Sequence, residues 1–194
     1  MRQRVAAVSL AASGVMGIAL LAGCSGSGYS VRNVDAKSGA RVADGDPVMG
    51  AASLERIKKL EGDWDLVSED GTRSPGLVIR VTAAGSSVRE IMFPGSGHEM
   101  TNMYHADGGT IMMTHYCAAG NQPRMRAVAS GEGQPIAFSL DSVTNLGGRD
   151  DTYMGSMSLN FVDANTIRQD WNHFSLNKGK SDGVTSLTFK RQGT

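Results

Sequence analysis

The sequence predicts an all-β domain: about ten antiparallel strands closed or stacked on one another, with one short helix at the N-terminal side. Three observations carry this expectation. Short apolar runs recur between residues 62 and 190, each bounded by a turn cluster, which is the spacing of a sandwich or barrel. No stretch between them suits a crossover helix, so neighbouring strands run antiparallel. One hairpin, 154–174, has a register that sets both of its apolar sets on one face, as register selection requires.

The chain opens with a segment that does not belong to the fold. Arg2 and Arg4 precede an apolar run of small residues from Val5 to Leu21, and no acidic residue occurs before Asp35. This is the pattern of a targeting leader. It ends in Leu21-Ala22-Gly23-Cys24. Small residues followed directly by cysteine resemble the lipobox of bacterial lipoproteins. That resemblance implies a signal peptide over 1–23, cleavage before Cys24, diacylglycerol on its sulfur and an acyl chain on its amine. Two or more chains hold a protein on a membrane where one does not. Ser25, in place of aspartate, implies sorting to the outer membrane of the cell envelope, facing the periplasm.

Removing residues 1–23 takes away Arg2 and Arg4 and leaves 17 basic against 19 acidic side chains, a formal charge of −2. No basic stripe remains to neutralise phosphates, so nucleic acid is excluded as a partner. One domain suits the remaining length. With Cys24 lipidated, Cys117 has no intramolecular disulfide partner, and a free cysteine commonly packs as a small hydrophobe.

Residues 24–52 are rich in Gly, Ser, Ala and Asp without apolar periodicity. They read as a flexible tether with a reach of roughly 30 Å, ahead of a barrel domain at 53–192. Ser53 to Leu60 is the helix candidate. Ser53 serves as its cap, Glu55 and Lys58-Lys59 complement the dipole, and Leu54, Ile57 and Leu60 recur at helical spacing. A helix this short needs a surface to pack on, and an end of the barrel supplies it.

Candidate strands follow at 62–68, 76–83, 87–93, 100–106, 110–118, 125–130, 135–141, 154–162, 166–174 and 183–190. In the 154–174 hairpin, Phe161 pairs with Ile167, Leu159 with Gln169 and Met157 with Trp171. Ile136, Phe138, Leu140, Leu187 and Phe189 are expected inside, and Trp64 plugs an end. Between strands two and three, a two-residue Ala84-Gly85 turn pairs Ile79 with Glu90 and turns Glu90 inward, whereas a longer loop turns Arg89 inward. An interior charge needs a partner, for which Arg124 or His115 is available.

The stretch from His98 to Met125 concentrates three of the four histidines and five of the eleven methionines. Its Asp107-Gly108-Gly109 is a hairpin signal. With His105 paired to Thr110, one face carries Met100, Asn102, Tyr104, Ile111, Met113, His115 and Cys117, and this face is placed inward. A fully packed interior has no need of His, Asn and Tyr, since an unpartnered buried polar group costs ~1–3 kcal/mol. A barrel with one ligand uses a few such groups to orient it. Glu90, Asn102, Tyr104, Met113, His115, Cys117, Arg124, Gln169, Trp171 and His173 are therefore the candidate ligand-binding residues. Each has a structural alternative: a core histidine, a packed tryptophan, or, for Asn121-Gln122-Pro123-Arg124, a loop whose side chains cap backbone groups.

Short antiparallel strands with a helix beside Gly62-Asp63-Trp64 resemble the calycin barrels: lipocalins, fatty-acid-binding proteins and the nitrobindin-like group. The stretch containing Tyr104-His105, Asp107-Gly108, Thr114-His115-Tyr116-Cys117 and Gly120-Asn121-Gln122-Pro123-Arg124-Met125 resembles a family of bacterial barrel proteins of unknown function, over residues 54–192. The resemblance implies a calycin-like fold and assigns no catalytic residue.

The leading expectation is a lipid-anchored envelope protein whose barrel binds a small, mainly apolar ligand. A haem or copper protein is the alternative. His98, His105, His115, Cys117 and the methionines are ligands of the kind copper uses, although no CxxC, HxxxH or HxH spacing occurs, and a late inward histidine, His173, would suit haem by analogy with nitrobindin. A structural lipoprotein with a filled barrel is the third reading. No G-x-S-x-G, P-loop or dinucleotide fingerprint is present. His115 and Cys117 stand two residues apart on one strand, ~6.5 Å, so no enzymatic chemistry is assigned.

Overall fold

The computed structural model describes residues 45–194, apart from the side chains of residues 180–182. The leader, Cys24 and the tether up to residue 44 lie outside the described residues. Helix α1 (Pro47–Lys58) is followed by β1 (Gly62–Val67), β2 (Arg73–Thr82), a 3-10 turn (Ala83–Gly85), β3 (Ser87–Met92), β4 (Met100–Asp107) and β5 (Thr110–Tyr116). Then come β6 (Gln122–Val128), β7 (Ile136–Thr144), β8 (Tyr153–Asp163), β9 (Thr166–Ser175) and β10 (Gly179–Arg191). The ten strands close into an antiparallel barrel in sequence order, with β10 against β1. Closure leaves no edge strand in the wall as a whole.

The helix begins earlier than the sequence suggested. Asp46 caps it, accepting from the Val48 N–H at 2.9 Å, and Pro47 occupies its first position. An Asp-Pro start satisfies an orphan donor and presets φ, so it outcompetes the serine six residues on. Ser53 is instead a buried mid-helix residue whose hydroxyl faces the Ser130 carbonyl at 3.4 Å. The helix does cover one end of the barrel. Leu54, Ile57 and Leu60 join the core, and Trp64 beneath them is fully buried, donating to the Leu60 carbonyl at 2.9 Å. A β-carbon on Gly50 would stand 2.0 Å from the Gly108 carbonyl oxygen, so only glycine lets the helix lie this close to the β4–β5 turn.

The β8–β9 register is the expected one: Phe161 opposite Ile167, Leu159 opposite Gln169, Met157 opposite Trp171. The β2–β3 register likewise sets Ile79 against Glu90. In the β4–β5 hairpin the pairing differs. Asp107, not His105, faces Thr110, because the turn is only the two glycines. The slip is two residues, so every side chain keeps its expected face, since strand faces repeat every second residue. Leu140, expected inside, is 36 % exposed. Strand β7 pairs with β8 only from Ile136 to Ser139 and continues beside β6 alone, past a bulge between Arg124 and Met125. Leu140 still pairs with the buried Met125, but β8 has parted from β7 by then, so its side chain is open to solvent.

Candidate functional site

The barrel has two unlike ends. The one under α1 is filled by Trp64, Leu54, Ile57 and their neighbours. Toward the other lies a small apolar cavity of about 110 Å³. Met92, Met100 and Met154 bring three thioethers to it, Phe93 and Trp171 bring aromatic rings, and Thr185 and Leu187 come from β10. His115 is its remaining lining residue. Trp171, Met92 and His115 are buried, Phe93, Met100, Met154 and Leu187 half-buried, and Thr185 exposed, so the cavity deepens from a rim toward His115.

Behind it runs a buried polar chain whose hydrogen-bond directions follow from its members. Trp171 can only donate, so at 3.1 Å the Gln169 Oε1 accepts from its Nε1. That turns the Gln169 Nε2 toward Glu90, 3.1 Å from both carboxylate oxygens. Glu90 also accepts from the Asn102 Nδ2 at 2.6 Å and from the Tyr104 hydroxyl at 3.3 Å. The second Asn102 N–H faces the Met92 sulfur at 3.4 Å. Asn102 Oδ1 must then be an acceptor, and it lies 2.7 Å from His115 Nδ1. The proton of the imidazole therefore sits on Nδ1, and Nε2 carries a free lone pair. His115 is 1 % exposed, and its Nε2 has no hydrogen-bond partner among the described residues.

Electrostatics agree with this assignment. Burial pushes His115 down to about 4, so the ring is neutral near pH 7. Burial also raises Glu90 above the usual carboxylate range, while bonds from Gln169, Asn102 and Tyr104 partly counter it. Tyr104 is raised well above its ordinary value by its own burial, then by the Glu90 charge and hydrogen bond. The His115 and Trp171 rings meet with centroids 5.0 Å apart at 46°.

Of the ten expected site residues, Glu90, Asn102, Tyr104, His115, Gln169 and Trp171 form this one network. Met113 is buried but pairs with Tyr104 and Met125, away from the cavity lining. Cys117 lies just past β5, half-buried, its N–H bonded to the Asn121 carbonyl at 3.1 Å. Arg124 or His115 was expected as a partner for Glu90, and neither bonds it: His115 meets Asn102 instead, and Arg124 faces away. It alternates outward between the buried Pro123 and Met125 and pairs with Thr114 and Ser142. Glu90 is held by neutral donors instead. His173 stands near the cavity rim, its Nε2 3.3 Å from Thr185 Oγ1. Asn121 and Gln122 cap backbone, reaching the Thr152 and Gly120 carbonyls at 3.0 and 2.8 Å.

The sequence reading missed Met92, Phe93, Met100, Met154, Thr185 and Leu187 as cavity residues, although it placed Met100 and Leu187 on inward faces. Met92 was within reach, being two residues from the inward Glu90. Met154 was not, because a bulge between Met154 and Ser156 shifts the alternation that would reveal it. Among the described residues no group of three or more His, Cys, Asp or Glu side chains is placed to hold a metal ion, and no helix is long and apolar enough to cross a membrane.

No protein-family profile matches the chain, and no curated protein matches it in sequence. Among solved structures it is similar to that of Rv2717c from M. tuberculosis, with 13 % identity and a TM-score of 0.51 over 77 % of this chain and 99 % of that one. At that identity the likeness shows the fold alone.

Proposed function

We propose that this chain is a lipid-anchored protein of the bacterial cell envelope whose calycin-like barrel binds a small, mainly apolar ligand at its uncovered end. The observation that carries the reading is the His115 Nε2. A buried, unbonded polar atom costs ~1–3 kcal/mol, and its residue is one of those lining an apolar cavity of about 110 Å³. A site that binds nothing has no reason to retain it. Pockets for drug-sized ligands run to roughly 300–1,000 Å³, so the ligand here is a small one. The anchoring half of the proposal rests on Leu21-Ala22-Gly23-Cys24 and the apolar leader before it. Native mass spectrometry of the purified protein tests the binding half. A co-purifying small species that is absent from His115→Leu supports it. No such species, together with a His115→Leu variant more stable than the wild type, would mean a barrel that is merely packed.

One observation favours a second reading. Three methionines and His115 line the same cavity, and soft thioether ligands select monovalent copper. Met92 already meets the Asn102 N–H, which leaves fewer free donors than the lining suggests. Copper found by elemental analysis and lost in His115→Ala would establish this alternative. The haem alternative draws no support from a cavity this small.

A further inference from the structure

Resting on the reading of the cavity as an apolar ligand site, we propose that Phe93 is its gate. Phe93 is held in a strained backbone conformation between the cavity and the outer surface, and relaxing that strain opens the way in. Three observations converge on this residue.

The first is its backbone. Phe93 has a φ of +53°, a side of the map that bulky L residues enter only as outliers. Pro94 follows it, and a residue before proline is pushed toward extended backbone. Phe93 is thus disfavoured twice over, whereas Gly95, two residues on, takes its positive φ without a steric cost. Strain of this kind persists only where the surroundings impose it, and it gathers at ligand clamps and switches. Here the Phe93 N–H donates to the Gly76 carbonyl of β2 at 2.8 Å, and the Phe93 carbonyl accepts from the Ser96 N–H at 3.1 Å.

The second is its place. Phe93 lines the cavity beside Met92, Met100 and Trp171, and it also lines an open surface groove beside Pro75, Pro94 and His98. Among the described residues Phe93 alone lines both. The cavity presents only apolar surface, so what Phe93 gives it is hydrocarbon. Its side chain is half-buried and packs against the core. The third is the loop that it begins. Met92 and Met100 pair across β3 and β4, and residues 93–99 run between them. The loop is bonded within itself: Gly95 N–H to Glu99 Oε2 at 2.7 Å, His98 N–H to Ser96 Oγ at 3.1 Å, Glu99 N–H to the Ser96 carbonyl at 3.3 Å. It can therefore turn as a unit without breaking those bonds. Gly95 and Gly97 stand in open space, where a β-carbon would meet nothing within 4 Å, so nothing packed on them resists the turn. Extending the Phe93 backbone releases its strain while giving up the Gly76 bond and some apolar packing. The two costs oppose each other, and such a balance keeps a gate's two states close in energy. With Phe93 turned out, cavity and groove are continuous, and a small apolar molecule passes from one to the other.

The test is xenon exchange, followed by xenon NMR on the full chain and on two variants. Xenon is a neutral probe of small dry cavities, and the spectra give its Kd and its rates of entry and release. Pro94 lines the groove and not the cavity, so Pro94→Ala leaves the binding surface intact. It removes the constraint that proline places on Phe93, and the closed state is then less strained. Entry and release should both slow by about fivefold, with Kd unchanged. Phe93→Ala removes the ring and should speed both. Rates that stay at the wild-type value in Pro94→Ala, or a change in Kd without a matched change in the two rates, would overturn the gate and leave the cavity reading intact. No xenon binding to the wild type would overturn the gate and the cavity reading together. Should Phe93→Ala fail to fold, Pro94→Ala decides alone, because its side chain sits in the exposed groove.

Discussion

The titration of His115 makes a stability prediction that can be worked through. In the folded protein burial holds it down to about 4, whereas the unfolded chain titrates near its ordinary 6.5. As pH falls through 6.5 the unfolded state takes up a proton that the folded state refuses. Stability is therefore lost between 6.5 and about 4, and the loss is complete below that. The gap corresponds to about 3 kcal/mol at ~1.36 kcal/mol per unit. Glu90 acts in the opposite sense. Its raised folded value means the native state takes up a proton before the unfolded one as pH falls, which offsets part of the loss. Comparison with His115→Phe isolates the histidine, because Glu90 is present in both. At neutral pH the variant should be less stable by ~1–3 kcal/mol, since the Asn102 Oδ1 loses its donor. Urea melts should then show the wild-type advantage shrinking toward zero or reversing by about pH 4. A difference that stays constant across that range would refute a neutral, buried His115.

Other substitutions separate the parts of the barrel. Glu90→Leu should cost at least about 3 kcal/mol in urea melts, because the donors of Asn102, Gln169 and Tyr104 all lose their acceptor. Glu90→Gln should cost less, since it keeps one acceptor and the volume. Trp64→Ala should remove about 3–5 kcal/mol in the same melts as a cavity opens beneath α1. Gly50→Ala should destabilise by about 1–3 kcal/mol, because the new β-carbon meets backbone at Gly108 that cannot step aside. Thermal melts that show no change would mean the helix docks differently.

The strands were legible because their periodicity is local. All ten appear where alternation and turn chemistry place them, and the β8–β9 register followed from matching Phe161, Leu159 and Met157 to Ile167, Gln169 and Trp171. The inward faces of Glu90, Asn102, Tyr104 and His115 followed in the same way, even where the β4–β5 pairing was two residues off, because faces repeat every second residue. What the sequence hid is non-local. A bulge at Met154/Ser156 breaks the alternation that would mark Met154 as lining, and the parting of β8 from β7 after Ser139 leaves Leu140 exposed. The helix start was missed because residues 24–52 read as tether by composition, whereas Asp46 caps the helix and Pro47 takes its first position. No spacing rule could reveal that Glu90 meets Gln169, 79 residues away in the chain, rather than Arg124. Only the closure of the barrel joins them.

Nitrogen NMR of the His115 imidazole tests the central claim most directly, that a neutral ring is held by Asn102 at Nδ1 and left unbonded at Nε2. At neutral pH the spectrum should show Nδ1 protonated and Nε2 unprotonated. A ring protonated on Nε2, or a doubly protonated ring near pH 7, would contradict it.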